Sequence, residues 1–317
     1  MSKLDISIAG EINLDLILYG LPEQMPTERE LLAKDFAVTL GSSSAILAHN
    51  LAALGDRVGF VTKVGDDSFG GLAIERLREP GVDLTRVVHG TKSGVTLILP
   101  HGTRRHILTY PGTISELRFE ELDFDYLASA RHFHMSSLFL QRALLPRVGE
   151  LFRRMKSAGL TTSLDTNDDP DDRWGPELEA IMPHVDILLP NEREAMKMSR
   201  TGDVEDALSW LAQRVETVAI KTGAKGALAI RNGRRFAAPA VPVAVVDPVG
   251  AGDSFDAGFL HQFLRGADLE TCLLHGNLCG AFSTTACGGT EAFRDTGRLK
   301  QFLRERGRGN ESQYPSR

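Results

Sequence analysis

The chain has 317 residues, 42% hydrophobic and 25% charged, with a formal net charge of -6, enough length to bury a substantial core as one large domain or a domain plus an appendage. The acidic balance argues against nucleic acid or an anionic membrane as the main ligand, because those surfaces demand concentrated Lys and Arg. It leaves ATP open, since a nucleotide needs only local positive potential, and the absence of any apolar run near ~18 residues argues against a membrane span.

In chain order, Met1 to Gly10 reads as a strand rather than a signal peptide, which makes the cytoplasm the default address. Strand-like runs at Asp5–Ala9, Val58–Val64, Ala130–Met135, Thr161–Leu164, Ile187–Leu189, Thr217–Lys221 and Ala227–Ile230 alternate with helical patterns. Those patterns cover Ser43–Leu54, Leu72–Arg78, Leu144–Ala158, Glu192–Met198, Val204–Arg214 and the stretch after Asp253. Such alternation predicts βαβ units and a mainly parallel sheet. Residues 14–40 and 93–109 break the rhythm: they read as short strands around turns, Pro100-His101-Gly102 among them, without crossover helices of their own. They fit a small separate sheet.

Several polar groups stand at the ends of these elements. Asn13 and Asp15 alternate with apolar residues, so both side chains leave one face of an extended segment and can hold vicinal hydroxyls; turn or capping chemistry would use the same pair. Gly41, Ser42 and Ser43 precede a helix, where the serines can serve a ligand or simply cap. Arg104 and Arg105 precede His106 and Tyr110 on a predicted strand; alternation turns one of the two inward, where it can meet a carboxylate or phosphate. A solvated strand explains them equally. Asp165 and Asn167 follow a strand, and carboxyl ends of parallel strands are where open α/β sheets bind ligands. Asn191 and Glu194 share a helix face, as phosphate or metal surroundings would require and as a plain helix start would also give. Lys221-Thr-Gly-Ala-Lys-Gly226 is a Gly-rich turn suited to pass beneath nucleotide phosphates, yet it is not a Walker loop. Neither Gly-Lys-Ser/Thr nor a strand-to-helix Gly-x-Gly-x-x-Gly occurs, which disfavours P-loop kinases and dinucleotide-dependent dehydrogenases.

The most informative run is Asp247-Pro-Val-Gly-Ala-Gly-Asp-Ser-Phe-Asp-Ala-Gly-Phe-Leu260. Phe255, Phe259, Leu260, Phe263 and Leu264 form an apolar stripe, and Gly266 supplies a left-handed stop, so Gly250, Ala251 and Gly252 stand at a helix N-terminus. Unpaired N–H donors and the positive end of the helix dipole suit a phosphate in transfer there. A carboxylate in the first turn, Asp253, can accept the proton of an attacking hydroxyl. A bare Gly-x-Gly-Asp reads equally as a turn with an Asp cap. Cys272, Cys279 and Cys287 lack zinc or redox spacing and read as ordinary buried thiols. From Arg304 the chain is polar and without periodicity.

The Gly-Ala-Gly-Asp run with an Asp three residues upstream resembles the C-terminal signature of the ribokinase-like (PfkB) carbohydrate kinases, and the likeness extends along nearly the whole chain. The resemblance implies an α/β, three-layer sandwich with a mainly parallel central sheet and a small β lid. Residues 1–13, 41–92 and 110–303 would form the core, 14–40 and 93–109 the lid, and 304–317 a flexible tail. It implies ATP as phosphoryl donor and Mg2+ as cofactor, Gly250, Ala251 and Gly252 as anion hole, and Asp253 as catalytic base. Asn13, Asp15, Gly41, Ser42, Ser43, Arg104 and Arg105 would bind the sugar, and Asn191, Lys221, Thr222, Gly223, Gly226 and Asn277 the nucleotide. Asn191 and Glu194 would hold Mg2+ through water; Asp247, Val249, Ser283, Ala286 and Gly288 would enclose K+. Val64-Gly-Asp-Asp-Ser-Phe-Gly70 serves in that family as a structural turn.

The first family signature is altered here: Ser42 replaces the second Gly of a Gly-Gly pair, and Ile46 stands where an Asn is usual. Phosphosugar-using members tend to place a Lys where Ser43 lies, so the pattern favours an unphosphorylated sugar or sugar acid as acceptor. A nucleoside acceptor would call for aromatic stacking near the sugar, and the chain has only two Trp and four Tyr, none clustered there. A non-catalytic sugar sensor fits the altered signature but not the intact Gly-Ala-Gly-Asp. Family members often pair through their lids, which implies a homodimer.

Overall fold

The computed structural model describes residues 4–101 and 104–311. Strand β1 (Ile6–Ala9) leads into the lid strands β2 (Asn13–Tyr19) and β3 (Asp35–Gly41), then α1 (Ser43–Ala53), β4 (Val58–Val61), β5 (Lys63–Gly65) and α2 (Ser68–Arg78). After β6 (Val88–Gly90) come β7 (Gly94–His101) and β8 (Arg104–Tyr110), then α3 (Phe124–Ala128), β9 (His132–Ser136), α4 (Val148–Ser157) and β10 (Thr161–Asp165). The middle of the chain adds α5 (Pro176–Ile181), β11 (Ile187–Leu188), α6 (Glu192–Ser199), α7 (Val204–Leu211), β12 (Thr217–Lys221), β13 (Ala227–Arg231) and β14 (Arg234–Ala238). Three helices close it: α8 (Ala251–Phe263), α9 (Leu269–Ser283) and α10 (Thr296–Glu311).

The large sheet has the order β14-β13-β12-β11-β10-β9-β1-β4. Its strands run parallel except at β12–β13 and β13–β14. Strands buried on both faces need apolar side chains on both, and alternate residues divide accordingly. Phe133, Met135, Leu164, Leu188, Val218 and Ile220 face the core packed by α3 to α7. Ile6, Ile8, Val58, Phe60, Ile187 and Ala219 face the core packed by α1, α2, α8 and α9.

The second sheet, β3-β2-β7-β8, stands apart as the lid. Because β2 pairs with β7 in parallel and with β3 antiparallel, Asp15 lies level with Thr96 and Thr39, and Thr96 level with Thr109. Asp67, at the expected turn, caps α2 by accepting from Gly70 N at 2.8 Å and holds the start of the second lid segment by accepting from Ser93 N at 2.8 Å.

Four expectations need correction. The run Val58–Val64 is two strands, since the chain leaves the large sheet at Thr62, whose carbonyl accepts from Val88 N, and β5 pairs with β6 instead. The helix expected from Leu144 starts with a 3-10 turn over Leu145–Arg147, and its α part begins at Val148. Strand β14 extends the sheet beyond the expected runs, joined to β13 by Asn232-Gly233, both at positive φ, the turn pair that favours a two-residue hairpin. The polar stretch from Arg304 continues α10 as far as Glu311; residues 312–317 lie outside the described residues, as do Gly102 and Thr103 of the expected hairpin turn.

Candidate active site

The carboxyl ends of β1, β10 and β12 converge on the first turn of α8, so sequence-distant polar groups meet in one place. Gly250 precedes the helix with φ +74°, and a Cβ there would collide with the backbone of Gly289. Only glycine fits both conditions. The helix starts at Ala251, placing Asp253 in its first turn. Ala251 N makes a long bond to Pro248 O at 3.3 Å, and the amides of Gly252 and Asp253 have no acceptor among the described residues. The protein thus leaves donors of a helix N-terminus open toward the site.

Asp253 is buried, 9% exposed. Desolvation pushes its carboxyl up to about 6, the Asp165 charge adds to the rise, and Lys221 and a hydrogen bond from Ser43 oppose it. A carboxylate so placed is ionised at neutral pH yet basic enough to take a proton.

Asp15 faces Asp253 from the lid, also buried, and is pushed up to about 7 by desolvation; a hydrogen bond from Asn13 lowers it, while the charges of Asp253 and Asp247 raise it further. Asn13 Nδ2 donates to Thr96 Oγ1 at 2.7 Å and to Asp15 Oδ1 at 3.4 Å, and Asn13 Oδ1 accepts from Ser42 Oγ at 2.8 Å. A Cβ on Gly41 would strike both Asp15 and Asn13. Asn13, Asp15, Gly41, Ser42 and Ser43 therefore form one polar wall. Ser42 occupies φ 66°, ψ 132°, a conformation that glycine adopts freely and serine does not. Ile46, where an Asn was the usual residue, packs against Gly289.

The register decides between the two arginines. Residues directly opposite one another share a face; Pro100 pairs with Arg105, Ile98 with Ile107 and Thr96 with Thr109. Arg105 is therefore on the Asp15 side, where its charge lowers the Asp15 carboxyl. Arg104, also expected to bind the sugar, is on the other face instead, bonded to Glu23 at 2.8 Å.

On the opposite flank, Asn191 and Glu194 form a reciprocal capping box at the start of α6: Glu194 N donates to Asn191 Oδ1 and Asn191 N to Glu194 Oε2, each at 2.9 Å. Burial and the nearby Asp165 charge push the Glu194 carboxyl up to about 7. Thr222 anchors the Gly-rich turn, its amide and hydroxyl both donating to Gly226 O at 2.9 Å, while the Cβ direction of Gly223 opens onto free space. Asn277 donates to Ala238 O and Pro239 O, pinning the segment after β14. Lys221 departs from expectation. Its ammonium is bonded to Asp165 Oδ2 at 2.7 Å and to both Asp256 oxygens at 3.2 Å, so its protons are aimed at buried carboxylates rather than at a nucleotide. Asp256 joins the site unannounced by any motif, its one sequence signal being its place a helical turn beyond Asp253.

Asp247 joins two loops beside the start of α8, accepting from Val249 N and Gly288 N, each at 3.0 Å. The buried Ser283 hydroxyl nearby has no hydrogen-bond partner, which fits a site for a further group. Among the described residues no cluster of three or more His, Cys, Asp or Glu could hold a metal directly. Asn191 and Glu194 bring hard amide and carboxylate oxygens together at the start of α6, the donor chemistry that Mg2+ takes alongside retained waters. Of the cysteines, Cys272 and Cys279 are buried and Cys287 is half-buried against Tyr19; all are free. No helix of the described residues is long and apolar enough to cross a membrane.

The fold and this constellation define a carbohydrate kinase of the ribokinase-like class. Residues 3–296 match the model of the pfkB family carbohydrate kinases, and the chain belongs to that family, whose members are phosphotransferases with alcohol acceptors. It is 31% identical over 94% of its length to the ATP-dependent ribose-1-phosphate kinase of Halopiger xanaduensis, 97% of which is covered. It is 25% identical over 96% of its length to the 5-dehydro-2-deoxygluconokinase of Clostridium tetani, 94% of which is covered. Ribokinase from Thermotoga maritima superposes with a TM-score of 0.80 at 25% identity, covering 95% of this chain and 99% of that one. A ribokinase II candidate from E. coli in complex with ATP and Mg2+ gives 0.84 at 24% identity, with 95% and 99% covered.

Proposed function

We propose that the chain transfers the γ-phosphoryl group of ATP to a hydroxyl, in our reading a primary one, of a sugar or sugar acid, with Asp253 as base. One observation carries this reading: a buried carboxylate pushed up to about 6 stands in the same helical turn as unpaired amides of Gly252 and Asp253. The acceptor hydroxyl gives its proton to Asp253, its oxygen bonds to the γ-phosphorus, and the bond from that phosphorus to the ADP oxygen breaks. Gly250, Ala251 and Gly252 direct backbone dipoles at the charge that develops, and positioning with electrostatics carries such a transfer. Asn13, Asp15, Gly41, Ser42 and Ser43 orient the sugar; Asn191, Thr222, Gly223, Gly226 and Asn277 surround the nucleotide. Mg2+, when bound, neutralises phosphate charge, and Asn191 and Glu194 would hold its waters. Backbone oxygens near Asp247, Val249, Ser283, Ala286 and Gly288 would hold K+. ATP as donor is consistent with a cytoplasmic address.

Arg105, exposed on the inner lid face, favours an acceptor with an anionic substituent. A sugar acid supplies one, and so does a sugar phosphate, the acceptor class named for the Halopiger relative. The outer lid face carries Phe36, Leu108 and Tyr110, 67%, 54% and 48% exposed, and a second copy of the chain is the occupant we propose for it. Sedimentation equilibrium of the wild type and Leu108→Glu tests that pairing: dimer lost in the variant supports it, and a monomeric wild type overturns it.

The central test is ADP release across neutral sugars, sugar acids, ribose 1-phosphate and nucleosides, with thermal shift as binding control. Turnover is expected with a sugar acid or sugar phosphate and abolished in Asp253→Asn, by about 10² to 10⁴, with nucleotide binding kept. Turnover confined to nucleosides would overturn the acceptor class, and wild-type turnover in Asp253→Asn would overturn the base.

A further inference from the structure

Beneath the anion hole lies a buried charge group that the transfer as described does not use. Asp165 ends β10, Lys221 ends β12, and Asp256 stands one turn beyond Asp253 on α8. The Lys221 side chain is 11% exposed and those of Asp165 and Asp256 are 1% and 2%. Its ammonium holds Asp165 at 2.7 Å and Asp256 at 3.2 Å, and lies 3.6 Å from where a Cβ on Gly252 would be. One cation thus ties two sheet strands to α8, one turn beyond the residues assigned as anion hole and base.

We propose that Lys221 is a positioning residue for the transfer, acting through Asp165 and Asp256 on the first turn of α8 rather than by contact with ATP. The inference rests on the assignment of Asp253 as base.

Removing one buried partner of a multi-charge group leaves the others uncompensated, so such groups hold one geometry. Burial and the Asp165 charge push the Asp256 carboxyl well up, while Lys221 draws the Asp165 carboxyl down despite burial. The ammonium is thus held between two buried acids, and none of the three can be removed without leaving the others uncompensated. The charged groups around Asp253 are Glu11 after β1, Asp15 of β2, Asp165 of β10, Lys221 of β12 and Asp256 of α8 itself. Glu194 of α6 reaches the group from the far side, and α1 offers the Ser43 hydroxyl. His275 of α9 and the His261–Asp56 pair bond around the far end of α8. Lys221 is thus the cation in this set that lies below the base, and it opposes five acids.

The test compares Lys221→Met, Asp165→Asn and the double variant by the acid limb of kcat/KM for the acceptor and by KM for MgATP. Lys221→Met is expected to move the limb up by about one pH unit and lower kcat at neutral pH at least about tenfold, with KM for MgATP within about twofold. Asp165→Asn is expected to move the limb down, and the double variant, which removes one charge of each sign, to return it toward the wild type. Limbs that coincide in all four proteins overturn the proposal, as does a tenfold rise in KM for MgATP with an unmoved limb. Should Lys221→Met fail to fold, the double variant against Asp165→Asn decides: the same limb in both overturns it. An acid limb that persists in Asp253→Asn removes the base assignment itself, a different result from an unmoved limb in the Lys221 variants.

Discussion

The two ends of the site are built on different physical grounds. At the α8 end the groups are backbone amides and buried carboxylates fixed by helix geometry, and their surroundings leave little freedom: Gly250 touches Gly289, and Lys221 binds two acids at once. At the lid end the groups are side chains on the edge of a small sheet, and Arg105 and Ile107 stand exposed. Chemistry common to a family belongs to the first kind of site, and choice of acceptor to the second. Substitutions at the two ends should therefore fail differently.

The largest expected effect is at the rigid end. Gly250→Ala places a Cβ against the Gly289 backbone and forces a positive φ on alanine. The strain costs about 1–3 kcal/mol, and displaced amides lower kcat about 10² to 10³-fold. Steady-state kinetics with thermal denaturation check both. A variant with wild-type kcat would mean that the helix terminus is not where charge develops.

The next effect runs in the opposite direction. An unfolded Asp loses its proton near 3.8, whereas folded Asp253 loses it near 6. Between those values the native state binds more protons, so stability falls as pH rises through the window, and the loss is complete above about pH 6. Asp253→Asn lacks this dependence. It should be more stable than the wild type by up to about 3 kcal/mol at pH 8, with the advantage fading toward pH 4. Denaturant titrations at the two pH values measure it, and an equal difference at both would refute the elevated carboxyl.

How much of this was legible follows the same division. The Gly-Ala-Gly-Asp run announced its helix terminus because an apolar stripe follows it at helical spacing, and the alternation of strands and helices announced the sheet. Lys221 was legible as a residue of a Gly-rich turn but not in its direction, which depends on Asp165 and Asp256 arriving from 56 and 35 residues away. The choice between Arg104 and Arg105 needed the register of β7 with β8, which period-two alternation alone leaves free. Strand β14 carries arginines on an exposed edge and so lacked the apolar signal of its neighbours.

At the lid end, Arg105→Ala should raise KM for an anionic acceptor about tenfold, the scale of one charge-assisted contact, while leaving KM for ATP and thermal stability unchanged. Inhibition by inorganic phosphate or sulfate should weaken in parallel. If KM for a neutral sugar rises as much, Arg105 shapes the lid instead of reading charge.

The smallest effect tests where the two ends join. Ser42 holds a positive φ that serine adopts only under strain, while its hydroxyl donates to Asn13, which in turn supports Asp15. Ser42→Gly relieves the backbone and removes that hydrogen bond, so the two consequences separate. Relief of strain should stabilise the fold by about 1 kcal/mol, read as a rise in Tm. Loss of the donor should loosen Asn13 and raise KM for the acceptor about threefold, with kcat nearly constant because the α8 end is untouched. A variant that gains stability without change in KM would show that the serine hydroxyl is an ornament of the loop; one that loses kcat would show that the acceptor wall and the phosphoryl end are mechanically one.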